Sequence, residues 1–142
     1  MEEAKADVCG LFMPQYMLDK KMLPGAGPDA AAKLYTTYLA SSFRTLRFGT
    51  NEAHGRGMAV QFNYLLNRGA FVANSDGTFT VDQAKIPGAI RDLARDLLTM
   101  EALGDYSGAK DMLRTLVKIP APLRAALDKL KDLPTDIYPD YK

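Results

Sequence analysis

The chain has 142 residues, is 47% apolar and 25% charged, and carries a net charge of +1. That suits one globular domain large enough to bury a core, and the interleaved Lys, Arg, Asp and Glu present no basic stripe to nucleic acid or an anionic membrane. Cys9 is the single cysteine, which excludes an internal disulfide and suits a reducing, cytoplasmic compartment. No apolar run approaches the roughly 20 residues that span a bilayer, and the acidic N-terminus lacks the regions of a secretory signal.

Val8, Leu11, Phe12 and Tyr16 follow helical spacing and predict a helix over residues 2 to 19. Pro14 inside it is expected to kink or split it. The pattern is already running at Glu2, which fits either a natural short gene or a piece of a longer chain. A Pro- and Gly-rich loop at Leu23–Pro28 follows. Pro28 and Asp29 suit the first turn of a second helix, whose apolar face is Leu34, Tyr35, Tyr38, Leu39, Ser42, Phe43 and Leu46. Gly49 suits its stop.

Asn51 reads as the N-cap of a third helix, with Met58, Phe62, Leu65 and Leu66 inward and Gly69 at its end. Short β-prone runs at Ala70–Ala73 and Thr78–Val81 flank Asn74-Ser75-Asp76-Gly77 and predict a β-hairpin over about 70–82. A lone hairpin is marginal in water, so it must dock on something. Ile86, Ile90, Leu93, Ala94, Leu97 and Leu98 mark the strongest helix, closed by Gly104. A shorter helix carries Tyr106, Ala109, Met112, Leu113, Leu116 and Val117. After Pro120 and Pro122, a last helix carries Leu123, Ala126, Leu127 and Leu130. The tail from Pro134 to Tyr141 reads as extended. The expected fold is mainly α: a bundle of about six helices with one small hairpin, in a single helical domain over 1–142.

Few residues could carry chemistry. Glu3 and Asp7 stand four apart, on one helical face. Spacing alone favours a solvated acidic first turn, stabilised by the helix dipole. His54 is the only histidine. In the first turn of its helix it suits a neutral ring or a hydrogen-bond donor, and equally a plain capping histidine. Gly55 and Gly57 are poor helix formers whose bare backbones let another backbone or a ligand come close. They do not form a phosphate loop, since no strand precedes and no Gly-Lys-Ser/Thr follows. Cys9 is expected in the core. Arg44 and Arg47 are expected in solvent. A zinc site needs about three protein ligands and an open position, so one His and one Cys make this chain alone a poor zinc protein, and no cofactor-binding motif occurs.

Glu2-Glu3-Ala4-Lys5-Ala6-Asp7 resembles the Glu-Glu-Cys-Arg-Ala-Glu/Asp motif of the dipeptidyl-peptidase III family of zinc metallopeptidases. The segment with Phe43-Arg44-x-x-Arg47-Phe48-Gly49 and Asn51-Glu52-Ala53-His54-Gly55-Arg56-Gly57 is similar to the region downstream of that motif in the bacterial and plant branch. The resemblance continues to Asp136-Ile137. Some members of the branch carry a Nudix-like module, and no Nudix box occurs here. The resemblance implies that Glu3 is a zinc ligand, that Asp7 supports a zinc-bound histidine without touching the metal, and that His54 contacts substrate and the transition state. It departs from the family in Ala4 and Lys5, and in lacking the His-Glu-x-x-Gly-His segment, which would lie upstream of Met1.

Two functions follow. In the first, the chain is the C-terminal part of a zinc-dependent exopeptidase, inactive alone. Its partners are then the upstream remainder of the same enzyme and a peptide substrate, with Zn2+ bound in the complete enzyme. In the second, it is a free-standing, metal-free helical interaction module. Exposed apolar surface would allow self-association in either case.

Overall fold

The computed structural model describes residues 1–134. The extended tail expected from Pro134 onward lies, beyond Pro134 itself, outside the described residues. Six helices and one hairpin follow in the expected order: α1 Glu2–Asp19, α2 Ala30–Leu46, α3 Ala53–Asn67, β1 Phe71–Ala73, β2 Phe79–Val81, α4 Ile86–Ala102, α5 Tyr106–Leu116 and α6 Ala121–Asp128. No helix among the described residues is long and apolar enough to cross a membrane.

The axis of the molecule is α3. It packs against α1, α2, α4, α5 and β1, and the run from Gly57 to Leu65 is buried on every side. Its apolar periodicity understated this, because Gly57, Ala59, Gln61 and Asn63 are small or polar. Small residues let neighbouring backbones come close, and the two polar side chains find partners inside. Asn63 Nδ2 donates to Ala59 O at 3.0 Å and to the Leu116 and Lys118 carbonyls at 2.8 Å each. Those two carbonyls belong to the end of α5 and the loop after it, so Asn63 fixes where α5 stops. Gly55 faces the backbone of the preceding loop so closely that a Cβ there would stand 2.0 Å from Gly49 O.

The hairpin is antiparallel, with Phe71 opposite Val81 and Ala73 opposite Phe79. It docks through aromatic rings. Phe62 of α3 meets Phe71 at 5.4 Å, Phe79 at 5.6 Å and Phe43 of α2 at 5.8 Å between centroids. Such pairs add about 0.5–1.5 kcal/mol each beyond their burial, which is how two three-residue strands hold in water. Gly77, at φ +80°, supplies the left-handed turn residue, and Asp76 accepts from Thr78 N at 2.9 Å.

Several local expectations give way to tertiary contacts. Pro14 does not split α1. Buried Leu11 before it and Gln15 after it, the latter accepting from Tyr35 OH at 2.9 Å, seat both halves on the core. The N-cap of α3 is Glu52, not Asn51, and no side chain caps it. Asn51 instead offers its carbonyl to Arg56 at 3.0 Å. Cys9 is partly exposed rather than buried. Leu98 and Tyr106, placed inward by periodicity, are 46% and 79% exposed. Arg47 is not free in solvent: its guanidinium donates to Leu130 O at 2.9 Å and to Leu133 O, tying the turn after α6 to the end of α2.

Two outcomes test this packing. Gly55→Ala should destabilise the chain by about 2–3 kcal/mol, because the clash is with backbone and cannot be relieved by a rotamer. Gly88→Ala should leave stability unchanged or raise it by about 0.5 kcal/mol, since a Cβ there meets only the end of Arg91 at 3.9 Å. Urea midpoints for the two variants measure both. Alkaline pH is a second probe. Burial, helped by Asp19, pushes the Tyr35 phenol up to about 12, and burial with the Asp96 hydrogen bond does the same for Tyr64. The folded state thus favours the neutral phenols. The unfolded chain ionises first, near pH ~10, so stability should be level below that and fall as pH rises toward 12. Urea midpoints at successive pH values above 9 would follow the decline.

Candidate functional site

The three residues singled out by sequence come from two helices. Glu3 and Asp7 lie one turn apart on α1, and His54 lies in the first turn of α3. What joins the helices is a close approach in which one partner, Gly57, has no side chain. A Cβ on Gly57 would stand 3.1 Å from both Ala4 N and Glu3 Cβ, and Ala4 is fully buried against it. Of the two occupants that the bare glycine backbone would admit, another backbone or a ligand, α1 is the one present.

This approach brings Glu3 and His54 together. Nδ1 of His54 stands 3.0 Å from Oε2 of Glu3. The pair is open to solvent: the imidazole is 75% and the Glu3 side chain 38% exposed. Engaging Nδ1–H with a carboxylate selects that tautomer and leaves Nε2 for another group. Asp7 takes no part in the pair. Its Oδ2 accepts from Nε2 of Gln61 at 3.1 Å. Asp7 and His54 nonetheless share the lining of one cleft of about 510 Å³ between α1, α2 and α3, together with Tyr38, Ser41, Thr45 and Met58.

Gln61 and Tyr38 belong to this site and were missed. Tyr38 looked like a core aromatic, and Gln61 sat unremarked beside Phe62. A signal was there: His54, Gly57 and Gln61 recur at i, i+3 and i+7, on one face of α3. The Tyr38 hydroxyl donates to Gln61 Oε1 and lies 3.8 Å from Met58 Sδ. Burial, and secondarily the charge of Asp7, pushes the Tyr38 phenol far above the usual tyrosine range. Nearby, Lys5 bridges Glu2 at 2.9 Å and Glu101 of α4 at 2.8 Å. Those hydrogen bonds raise its ammonium to about 12, so Lys5 is a fixed cation that steadies the start of α1.

Zinc, which the resemblance implies, would need about three protein ligands. Glu3 offers a carboxylate, an ordinary zinc donor, and the His54 imidazole lies against it. Among the described residues no group of three or more His, Cys, Asp or Glu side chains comes together. The donor chemistry fits zinc, and the donor number supplies only a share of a site.

The fold that carries these residues is dipeptidyl-peptidase III-like. The structure superposes on dipeptidyl-peptidase III from Caldithrix abyssi with a TM-score of 0.89 at 43% identity, over 96% of this chain and 26% of that one. It superposes on dipeptidyl-peptidase III from Corallococcus sp. strain EGB with a TM-score of 0.89 at 39% identity, over 96% of this chain and 25% of that one. In sequence it is 43% identical over 143 residues to a protein named Nudix hydrolase 3 from Arabidopsis thaliana, across 99% of this chain and 18% of the plant protein. No family model matches the chain. The chain therefore spans about a quarter of the two solved peptidases and less than a fifth of the plant relative.

Asn63 and His54 should separate scaffold from site. Asn63→Leu should cost about 1–3 kcal/mol, because it breaks the buried side-chain bonds that hold the Leu116 and Lys118 carbonyls at the end of α5. His54→Ala should change stability by less than about 0.5 kcal/mol, since a contact this open to solvent contributes little. Thermal and urea unfolding of the two variants side by side would check both values.

Proposed function

We propose that this chain is the C-terminal portion of a zinc-dependent exopeptidase of the dipeptidyl-peptidase III type. It contributes one metal ligand and one substrate-contacting histidine, and it is inactive alone. The observation that carries this reading is the direct Glu3–His54 contact, 3.0 Å across α1 and α3, within a fold that superposes at 39–43% identity on two dipeptidyl-peptidases III.

When bound, zinc supplies polarisation of the scissile carbonyl and a nucleophilic water at neutral pH. This chain's residues divide the remaining work. Glu3 is one metal ligand, and its second oxygen can hold His54. Asp7 accepts from the N–H of a zinc-bound histidine contributed by the upstream remainder of the enzyme, which fixes that ring's tautomer and raises its donor strength. His54 gives Nδ1–H to Glu3 and turns Nε2 toward the substrate. Donating from Nε2 to the developing oxyanion uses the imidazolium form, in which both nitrogens carry protons. The substrate is a peptide, and the setting is cytoplasmic.

One further observation supports the metal-free interaction module as a second reading. Leu103 and Tyr106 are 76% and 79% exposed at the junction of α4 and α5. Tyr106 lines, and Leu103 adjoins, a pocket in which apolar Met1, Leu97, Met100 and Ala109 are mixed with charged Glu2, Lys5, Glu101 and Asp105. A module of that kind would bind through this face and be indifferent to Glu3 and His54.

The test uses the polypeptide that carries this chain in its source cells, sized by immunoblot and assayed for dipeptide release. The expected product is a protein several times heavier than 15.6 kDa with chelator-sensitive activity. Glu3→Ala should lower that activity more than about a hundredfold and reduce bound zinc, since a metal supplies several kcal/mol at the transition state. Chelator-insensitive release, or robust release by this chain alone, would overturn the proposal.

A further inference from the structure

Asp7 is a surface carboxylate gripped from the interior. Nε2 of Gln61 lies 3.1 Å from Asp7 Oδ2 and 3.1 Å from Gly57 O. A carboxylate and a carbonyl only accept, so this end of the amide must be the NH2 group, and both its hydrogens are used. The other end is then the carbonyl oxygen, and it accepts from the Tyr38 hydroxyl. Turned over, the amide would set its oxygen against the Asp7 carboxylate and the Gly57 carbonyl and lose both of those bonds.

The placement is unusual for a residue that serves packing alone. Gln61 is fully buried, between Val60 and Phe62 on the most enclosed helix of the molecule. An amide there costs free energy unless every polar atom is paired, and an apolar side chain of similar volume would avoid that cost. The three groups come from three helices: Asp7 from α1, Tyr38 from α2 and Gln61 from α3. Asp7 and Tyr38 line the cleft that His54 shares, and Gln61 lies buried behind them. Asp7 itself remains exposed, so a carboxylate held through one oxygen offers the other to whatever enters that cleft.

We infer that Gln61, locked by Tyr38, is a positioning residue that fixes the direction in which the Asp7 carboxylate meets a donor N–H. This role rests on the proposed role of Asp7, in which the donor is a zinc-bound imidazole. Gln61 touches neither metal nor substrate and acts only through Asp7. Outer hydrogen-bond partners of metal ligands commonly control metal affinity or activity by about ten- to a hundredfold, and a residue one bond further out should act at the lower end of that range.

The experiment uses the complete peptidase, with Asp7→Ala as reference. Zinc affinity is read by competition with a chelator, and kcat and KM are read on a dipeptidyl arylamide. Gln61→Met keeps the volume and removes the amide. It should weaken zinc binding about tenfold and lower kcat similarly at unchanged KM. The double variant Gln61→Met with Asp7→Ala should be no worse than Asp7→Ala alone, because both act through one carboxylate. Should Gln61→Met fail to fold, Tyr38→Phe removes the lock with less disturbance, and a smaller loss in the same direction is expected. Wild-type zinc affinity and kcat in these variants, with only a lowered melting temperature, would overturn the inference and make the pair structural. Losses that add to those of Asp7→Ala would overturn it too. An Asp7→Ala enzyme that keeps full zinc affinity and activity would remove the role of Asp7, and that of Gln61 with it, while leaving Glu3 and His54 standing. A wild-type protein that neither binds zinc nor releases dipeptides would overturn the proposed function together with the inference.

Discussion

The close approach of α1 to α3 at Ala4 and Gly57 is the contact on which the rest of the site depends. Ala4 is fully buried there, and Gly57 leaves no room for even a methyl group without movement. Because interiors pack densely, such a contact sets the separation and register of two helices to within a few tenths of an ångström. The pairs it aligns run in one direction along both helices: Glu3 with His54, Ala4 with Gly57, and Asp7 with Gln61. A side chain at residue 57 would move Glu3 away from His54 and Asp7 away from Gln61 together.

Around that contact the molecule is organised to keep α3 rigid. Two polar side chains inside it are satisfied by distant partners. Asn63 reaches the end of α5, while Gln61 reaches α1 and α2. On the other side, Phe62 anchors the hairpin through a ring cluster. Such arrangements leave little freedom to the first turn of α3, where His54 stands. A solvent-exposed histidine on a well-buried helix is held by the scaffold and only lightly by its own contact with Glu3, which suits the substrate contact proposed for it. In the proposed enzyme, Glu3, Asp7 and His54 each keep capacity that this chain does not use: a carboxylate oxygen in two cases and a ring nitrogen in the third.

Much of the architecture was legible because helical and strand periodicities are local. Six helices and the hairpin could be placed within a few residues, and the strong stops at Gly49, Gly69 and Gly104 are all left-handed glycines in the structure. Misreadings arose where a distant partner overrode a local rule. Pro14 stays inside one helix because both flanks are seated on the core. Glu52 rather than Asn51 takes the N-cap position of α3, with no side-chain cap, and Asn51 lies one residue earlier, where its carbonyl serves Arg56. Tyr106 and Leu98 obey the apolar period yet face outward, because periodicity marks a face without saying whether anything covers it. For the site, the pairing of Glu3 with Asp7 on one face was visible, but the partner of each was not. Gln61 and Tyr38 were invisible as site residues, since an amide and a phenol have no spacing that distinguishes a core filler from a hydrogen-bonding lock.

By itself, then, the amino-acid sequence determined the class of fold, the order of the elements, and the small set of residues able to do chemistry: two carboxylates one turn apart and a single histidine beside two glycines. These follow from residue type and short-range spacing, which the chain carries along its length. Only the tertiary structure decided that Glu3 meets His54, that Asp7 meets Gln61 instead, and that the glycines serve a helix and a loop backbone. The physical reason is that the contacts between α1 and α3 join residues some fifty positions apart. Such contacts are set by how the helices and the hairpin share one interior, and no local pattern encodes that.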